Sequence, residues 1–407
     1  MDFTDSGIQV VKLTPQYFAR MGWEVHYVVA RDFSKNGSYH YQDLVNPLGV
    51  SVHRIAMPSC GIGERLNHHI LRTIYSKLRG YVAVVKLAFM AYSILKLNDI
   101  EIIYGGGPHG VLAAKVVQIL FYQRRKLKIV SRFYGVWDLY SRTIIEHRWI
   151  KLMLNFDLIL SLYLRSNLLI ITNDGTQGNM ALSRIRPKNL NSLKFYVNGV
   201  NDQSVLGGDL DGTLRSLLGS NAFTVVCITR LVSLKRIDRC IRVASSVVHK
   251  FGMHNFRLII VGEGGERVRY EELAANLDVS RNIIFTGAVN NQMVKNYLAI
   301  SNAFLSMYDA SNVGNPLLEA IRANKIIFTL NNGDTSSWIT HGLNGFIYDV
   351  DESTTDRVAQ DIVRVAHDLR LQEFIQKNIK ATELEKLWTW DERLHAEFEA
   401  VKSLSKV

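Results

Sequence analysis

Cysteine is scarce in this chain of 407 residues. Cys60, Cys227 and Cys240 show neither metal-site spacing nor a disulfide framework, which fits a reducing compartment. No Walker A sequence is present, which argues against an NTPase, and no GxGxxG fingerprint appears. A nucleophile elbow and a Cys/His/Asp metal cluster are missing too. His68 and His69 are neighbours on an expected helix and point in different directions, so they are poor metal ligands. Repeats and low-complexity segments do not stand out. Residues 1–10 lack the basic start and apolar core of a secretory signal. Tyr81–Leu95 is apolar except for Lys86, but short for a bilayer, and reads as a core helix. Leu158–Ile171 is divided by Arg165 and Asn167. No spanning helix is expected.

What is present is a chain long enough for two or three domains, with 47% apolar residues and large cores to bury. Its net charge of +11 is unevenly placed. Residues 1–200 hold 25 Lys+Arg against 12 Asp+Glu, and the remainder 23 against 25. The whole excess therefore lies in the first half. The plain reading is a solvated basic face. The sharper one is attraction to an anionic surface. No nucleic-acid fold signature accompanies the charge, so a membrane surface or an anionic lipid-linked substrate is favoured over nucleic acid. The Arg124–Lys128 run, RRKLK, is most simply a solvated face, with membrane contact the alternative.

The first half alternates helical patterns with apolar runs. Gln9–Met21 reads as a helix, Glu24–Ala30 and Val50–Ala56 as strands, and Ile70–Leu97 as a long helical stretch broken at Gly80. Ile100–Tyr104, Leu127–Phe133, Leu158–Leu162 and Leu168–Thr172 read as strand or core segments. A polar, glycine-containing stretch, Asn201–Ser220, resembles a linker. A second α/β pattern follows: strands Phe223–Ile228, Phe256–Val261 and Ile283–Phe285, with helices Asp238–Lys250 and Glu266–Leu277. The alternation predicts doubly wound α/β domains. A first strand is expected before the Asp5-Ser6-Gly7 loop, and residues 1–4 are too few to supply it.

Chemistry concentrates in the second half. Ala303–Met307 reads as a buried strand, followed by the turn Asn312-Val313-Gly314-Asn315-Pro316, a helix from near Pro316, and a strand at Ile326–Leu330. Free N–H groups at that helix start favour an anion. Pro316 suits the first turn, where its missing N–H costs nothing. Glu319 lies one turn in, where a carboxylate can accept from sugar hydroxyls. Arg230 and Lys235 sit between a strand and a helix, where ligands of parallel sheets bind. Arg230 can grip phosphate bidentately and Lys235 adds a point charge. Alone they read as surface cations; with the Gly314–Glu319 unit they read as a phosphate site. Gly262-Glu263-Gly264-Gly265 permits close backbone approach. His109, on the glycine-rich turn Gly105–Gly110, is either a cleft residue or a surface loop histidine.

These motifs together resemble the retaining glycosyltransferases of family 4, which have the GT-B fold. Tyr196-Val197-Asn198-Gly199-Val200 is similar to the family's PNGV turn. Gly314-Asn315-Pro316-Leu317-Leu318-Glu319-Ala320 resembles the second half of its Glu-x7-Glu motif. Phe285-Thr286-Gly287-Ala288-Val289 resembles the segment beside the nucleotide base, and Trp390-Asp391 the start of a terminal helix. The resemblance implies two Rossmann-like domains facing across a cleft: an acceptor domain over 1–200, a nucleotide-sugar domain over 201–387, and a helix over 388–407 crossing back to the first. It implies that Arg230 and Lys235 clamp the donor diphosphate and that Glu319 binds the ribose. Gly262, Glu263, Ala288, Val289, Ser311, Asn312 and Gly314 to Leu318 would line the donor site. The first glutamate of the motif is replaced by Ser311, with Asp309 and Asn312 near it. In the first domain Tyr134 stands where a histidine is frequent, and Gly7 would be the remnant of a glycine loop.

The implied activity is transfer of a hexose from a nucleotide-diphosphate sugar to a glycan or lipid-linked hydroxyl with retention of configuration, without a metal cofactor. A cytoplasmic location, peripheral on the inner membrane face, goes with it. A nucleotide-sugar epimerase on the same fold would demand cleft carboxylates and histidines that cannot be placed here. The Ser311 replacement motivates a second reading, a nucleotide-sugar-binding pseudoenzyme. A basic membrane-surface scaffold is a third.

Overall fold

The computed structural model describes residues 9–32, 46–59, 69–120, 127–136, 139, 146–186, 192–201 and 222–405. Gly7, Cys60, His68, Arg124 to Lys126 and nearly all of the expected linker lie outside the described residues. The chain divides into two compact units. Unit 1 holds residues 1–172, 178–196 and 391–407, and unit 2 holds residues 173–177 and 197–390.

In unit 1, α1 (Gln9–Arg20) leads into β1 (Val25–Arg31), which pairs in parallel with β2 (Val50–Ala56). After α2 (His69–Leu97) come β3 (Ile102–Gly106), α3 (Gly107–Leu120) and β4 (Lys128–Phe133). Two short helices, α4 (Trp149–Leu154) and α5 (Phe156–Tyr163), precede β5 (Leu168–Thr172), α6 (Gly178–Ile185) and β6 (Leu193–Tyr196). Strands β3 to β6 form a parallel sheet in sequence order. Val111, Phe133, Ile171 and Leu182 fill its core.

Three local expectations change. Leu158–Leu162 lies within helix α5, not a strand. A short apolar run has no periodicity to separate the two forms. Helix α2 passes through Gly80 unbroken. A glycine inside a helix costs about 1 kcal/mol relative to alanine, but this one has a steric reason: a Cβ there would lie 2.5 Å from Nε2 of His109. His109 itself sits in the first turn of α3, not on a loop. Pro108 reads as a turn former, yet proline also suits a helix start.

Unit 2 is built on β7 (Phe223–Ile228), α7 (Ile237–Ser245), β8 (Phe256–Val261), α8 (Arg267–Asn276), β9 (Ile283–Gly287), α9 (Asn291–Ile300) and β10 (Ala303–Ser306). It continues with α10 (Asn315–Arg322), β11 (Ile326–Leu330), β12 (Phe346–Tyr348), α11 (Thr354–His367) and α12 (Leu369–Lys386). The expected Asp238–Lys250 helix is α7 plus a π-turn over Ser246–Lys250. The sheet is parallel, in the order β12-β11-β10-β7-β8-β9. From β7 the chain builds outward one way through β8 and β9, then the other way through β10, β11 and β12. The reversal leaves a crevice at the carboxyl ends of β7 and β10, the place where doubly wound sheets bind ligands.

The last helix, α13 (Trp390–Lys402), belongs to unit 1 from Asp391 onward. There Glu397, Arg393 and Arg132 are all fully buried. Arg393 Nη1 lies 2.6 Å from Glu397 Oε2, and Arg132 Nε lies 3.7 Å from Glu397 Oε1. Tyr104 donates its hydroxyl to Glu397, and Arg132 also reaches Thr172 Oγ1 at 2.8 Å. Burial alone would push the Glu397 carboxyl up, but the two guanidiniums outweigh it and hold it below its ordinary range.

Candidate functional site

Strands β7 and β10 are hydrogen-bonded neighbours, with Ala303 opposite Val225. The loops that leave their carboxyl ends therefore start side by side. The β7 loop ends in a single 3-10 turn, Ser233–Lys235, which places Lys235 with its Nζ 3.5 Å from the centroid of the Tyr308 ring. Tyr308 belongs to the loop after β10. Burial and the neighbouring Arg230 together push Lys235 down to about 8. A cation held on an aromatic face in a partly dry site is strongly attracted to an anion. Arg230, two residues past β7, is exposed.

Arg236 closes that turn in the left-handed region, at φ 50°, and precedes α7. It spans two carboxylates, Asp238 at 2.8 Å and Asp309 at 3.3 Å, while Arg239 holds Asp309 at 2.5 Å. These pairs tie the two loops together. They also occupy Asp309, one of the two polar residues beside the Ser311 position of the motif.

The glycine loop after β8 serves the same scaffold. Leu231 N–H donates to Glu263 C=O at 2.9 Å, and Glu266 N–H to Leu231 C=O at 3.0 Å. A Cβ on Gly262, whose φ is +142°, would lie 1.9 Å from Thr229 C=O, and one on Gly264 would lie 2.3 Å from Leu231 C=O. Both glycines thus permit loop-on-loop packing. Glu263 pairs with Arg267 at 2.6 Å and accepts from Gly264 N–H. Beyond β9, Ala288 is exposed and Val289 packs on the unit 2 core.

Helix α10 begins after Gly314 with no side-chain cap and with Pro316 in its first turn. The first N–H groups of a helix have no intrahelical acceptor and carry the positive end of its dipole. Asn315 Oδ1 accepts from Asn198 Nδ2 at 2.8 Å, which ties the Asn198-Gly199 turn to the helix start. Leu317 and Leu318 point into the core. Glu319 lies on the other face, half-buried, and burial raises its carboxyl to about 7.

The two polar residues before the helix are turned inward. Asn312 Oδ1 accepts from Ser306 Oγ at 2.5 Å and Tyr308 N–H at 3.1 Å; its Nδ2 donates to Asn332 Oδ1 at 2.8 Å and Tyr308 C=O at 3.2 Å. That uses the full capacity of a primary amide side chain. Ser311 is buried and accepts from Val313 N–H at 3.2 Å. Segment 173–177 explains its size. A Cβ on Gly175, at φ +75°, would lie 2.1 Å from Ser311 Oγ, and one on Gly333 would lie 2.0 Å from Gly175 C=O. A glutamate at 311 would meet this backbone directly.

Sequence reasoning missed that segment, and with it Asp174. Its carboxyl accepts from Thr176 N–H at 3.2 Å and Oγ1 at 2.6 Å. Burial raises it, and it interacts electrostatically with Lys235. An Asn-Asp-Gly-Thr run reads as an ordinary turn; only its return to unit 2 brings it near the basic loop.

The unit 1 candidates have partners within their own unit. His109 Nε2 lies 3.3 Å from Asp157 Oδ2, and Lys77 Nζ lies 2.8 Å from the other oxygen. Burial would raise Asp157, but hydrogen bonds from His109 and Lys77 hold it far below the usual carboxylate range. Tyr134 lies under the Arg132 guanidinium, 4.8 Å from the ring centroid, and burial raises its phenol to about 12. Among the described residues no group of three His, Cys, Asp or Glu side chains is placed to hold a metal.

Residues 215–382 match the family described as glycosyl transferases group 1. Over 170 residues the chain is 28% identical to an uncharacterized glycosyltransferase of Methanocaldococcus jannaschii, covering 41% of each protein. Over 152 residues it is 27% identical to the GDP-mannose-dependent alpha-(1-6)-phosphatidylinositol monomannoside mannosyltransferase of Mycobacterium tuberculosis, covering 36% of this chain and 38% of that protein. The matched region thus spans about two fifths of the length of these relatives. Among solved structures, HepE of Anabaena in complex with UDP-glucose has a TM-score of 0.70 at 14% identity, covering 100% of this chain and 98% of that one. Sucrose-phosphate synthase of Thermosynechococcus elongatus also has a TM-score of 0.70 at 14% identity, covering 98% and 94%. The fold is that of the GT-B glycosyltransferases.

Proposed function

From the premise that residues 215–382 are a glycosyl transferases group 1 region, we propose that this protein moves a sugar from a nucleotide-diphosphate sugar to a hydroxyl of a glycan or lipid-linked acceptor, with retention of configuration. The observation that carries the reading is the pairing of loops at the β7/β10 crevice. There Lys235, seated on Tyr308, and Arg230 share a sheet edge with the uncapped start of α10.

The assigned roles follow from charge. As the bond between the anomeric carbon and the phosphate oxygen breaks, negative charge builds on the departing diphosphate. Arg230, Lys235 and the α10 N–H groups stabilise it in place. The acceptor oxygen bonds to the anomeric carbon on the same face, and its proton passes to a leaving phosphate oxygen. Glu319 accepts from the ribose hydroxyls. The reading needs no metal. The transferred sugar is assigned to Asp174, since Ser311 is turned inward and Asp309 is ion-paired. Acceptor recognition is assigned to unit 1, and its basic sequence favours an acceptor held at an anionic, cytoplasmic membrane face.

A thermal-shift screen against UDP-, GDP- and ADP-sugars tests the donor site, since a ligand that binds the native state raises apparent stability. At least one should stabilise the wild type and not Lys235→Ala. No shift with any nucleotide sugar would overturn the proposal, and stabilisation without transfer or donor hydrolysis would favour a binding protein instead.

A further inference from the structure

The four-stranded sheet of unit 1 has a second edge, at the amino ends of its strands, opposite the side where parallel sheets bind ligands. Three cations from three elements meet there. Arg186 follows the last turn of α6 and donates its backbone N–H to Leu182 C=O. Arg165 lies between α5 and β5, and Lys115 in the second half of α3. Lys115 donates its ammonium to the C=O of Arg165 and, at 3.1 Å, to Gln118 Oε1. Both acceptors are neutral, so the charge of Lys115 is not cancelled, and an ammonium has a third N–H to give. Among the described residues the guanidiniums of Arg165 and Arg186 make no hydrogen bond or ion pair. Arg165 is exposed. Arg186 is 8% exposed, a depth at which a polar side chain normally has a partner. Its nitrogens nonetheless stay open to solvent.

These cations repel one another and lack a countercharge. Burial lowers both Lys115 and Arg186, and like charge lowers them further, Arg186 acting on Lys115 and Arg165 on Arg186. The phenol of Tyr163 works the other way on Arg186, and no carboxylate of the described residues acts on either cation. The stretches 121–126 and 187–191, which follow α3 and Arg186 in the chain, read FYQRRK and PKNLN and hold no Asp or Glu. The counterweight within the fold is the carboxyl ends of α5 and α6, at Tyr163 and Ile185, which carry about half a negative charge each. They offset about one of the three cations and leave a surplus of about two. That surplus matches a phosphate dianion, and a guanidinium grips phosphate through two parallel N–H bonds. Depth selects the form of the anion. A flat anionic surface meets Arg165 but not the sunken Arg186, whereas a small soluble anion reaches both.

We propose that Lys115, Arg165 and Arg186 form a phosphate site at the amino edge of the unit 1 sheet, which takes inorganic phosphate or the phosphate group of a small soluble monoester. The site is independent of the donor chemistry assigned to unit 2. An anion there ties α3, α6 and the turn before β5 together, so its binding should raise the melting temperature. The test is calorimetric titration of inorganic phosphate, at constant ionic strength, into the full chain carrying Lys235→Ala, which removes the lysine of the donor site. This protein should bind phosphate at least tenfold more tightly than chloride. Adding Lys115→Gln with Arg186→Gln should weaken phosphate binding at least tenfold. Adding Arg165→Gln alone, at an exposed position, should weaken it too, which separates loss of the site from loss of the fold. Phosphate bound no better than chloride would overturn the proposal, as would equal phosphate binding with and without these side chains. So would binding to phosphatidylglycerol vesicles that the three side chains control but that free phosphate does not compete away.

Discussion

The two units solve the same α/β problem with different proportions of buried charge. Unit 2 has an apolar core around its six-stranded sheet, buries one carboxylate, Glu383, on Arg322, and braces the loops at its sheet edge with Arg236, Arg239 and Asp309. Unit 1 buries a charged triad, Arg132, Glu397 and Arg393, and leaves apolar side chains of α2 in solvent. In unit 1 the buried triad has a physical reading: it fixes a helix from the far end of the chain.

The sharpest way to break this contrast is Glu397→Ala. It leaves two guanidiniums buried with no carboxylate, and removal of one partner of a buried pair costs about 3–5 kcal/mol. Urea unfolding should show that loss; a loss below about 1 kcal/mol would mean that the triad is solvated and the contrast false. Next in size is Lys235→Ala, expected to lower transfer at least tenfold, about 1.4 kcal/mol or more of transition-state stabilisation, with melting temperature near wild type. Lys235 also sets a pH window. Its ammonium loses its proton near pH 8, so KM for the donor should rise above that pH, and Lys235→Arg should hold it constant to higher pH. Unchanged steady-state constants across both variants would remove Lys235 from the site.

The smallest effect concerns Glu319. Its carboxyl is raised to about 7 in the native protein, so the native state holds a proton that the unfolded chain releases near its ordinary carboxyl range. That contribution is fully present at low pH and is lost as pH rises through about 7. Glu319 is half-buried, so the change should be on the order of 1 kcal/mol. Glu319→Gln should flatten the slope between pH 5 and 7.5; an identical slope in the variant would place the titration elsewhere.

Much of unit 2 was legible because its signals are local. Apolar runs bounded by glycine, and Pro316 in the first turn of α10, announce strand, loop and helix within one stretch of chain. The fate of Ser311 was not legible. Its size answers to Gly175, more than a hundred residues away, and no pattern around 311 encodes that contact. Asp309 and Asn312 read as spare polar groups for the same reason, since their partners at 236, 239 and 332 come from other loops. In unit 1 the apolar run of α5 was ambiguous in principle, and the unbroken α2 depended on a histidine that fills the space beside Gly80.

The position of α13 has a consequence for how the chain is made. Arg393 and Glu397 complete a cluster whose other members, Tyr104 and Arg132, are synthesised far earlier, Tyr104 by 293 residues before Glu397. Unit 2 lies wholly between them in sequence and emerges first in full. The ribosome therefore releases an unfinished N-terminal half, with Arg132 lacking its carboxylate, until α13 has emerged. Unit 2 can fold before α13 is made, whereas unit 1 must wait for it.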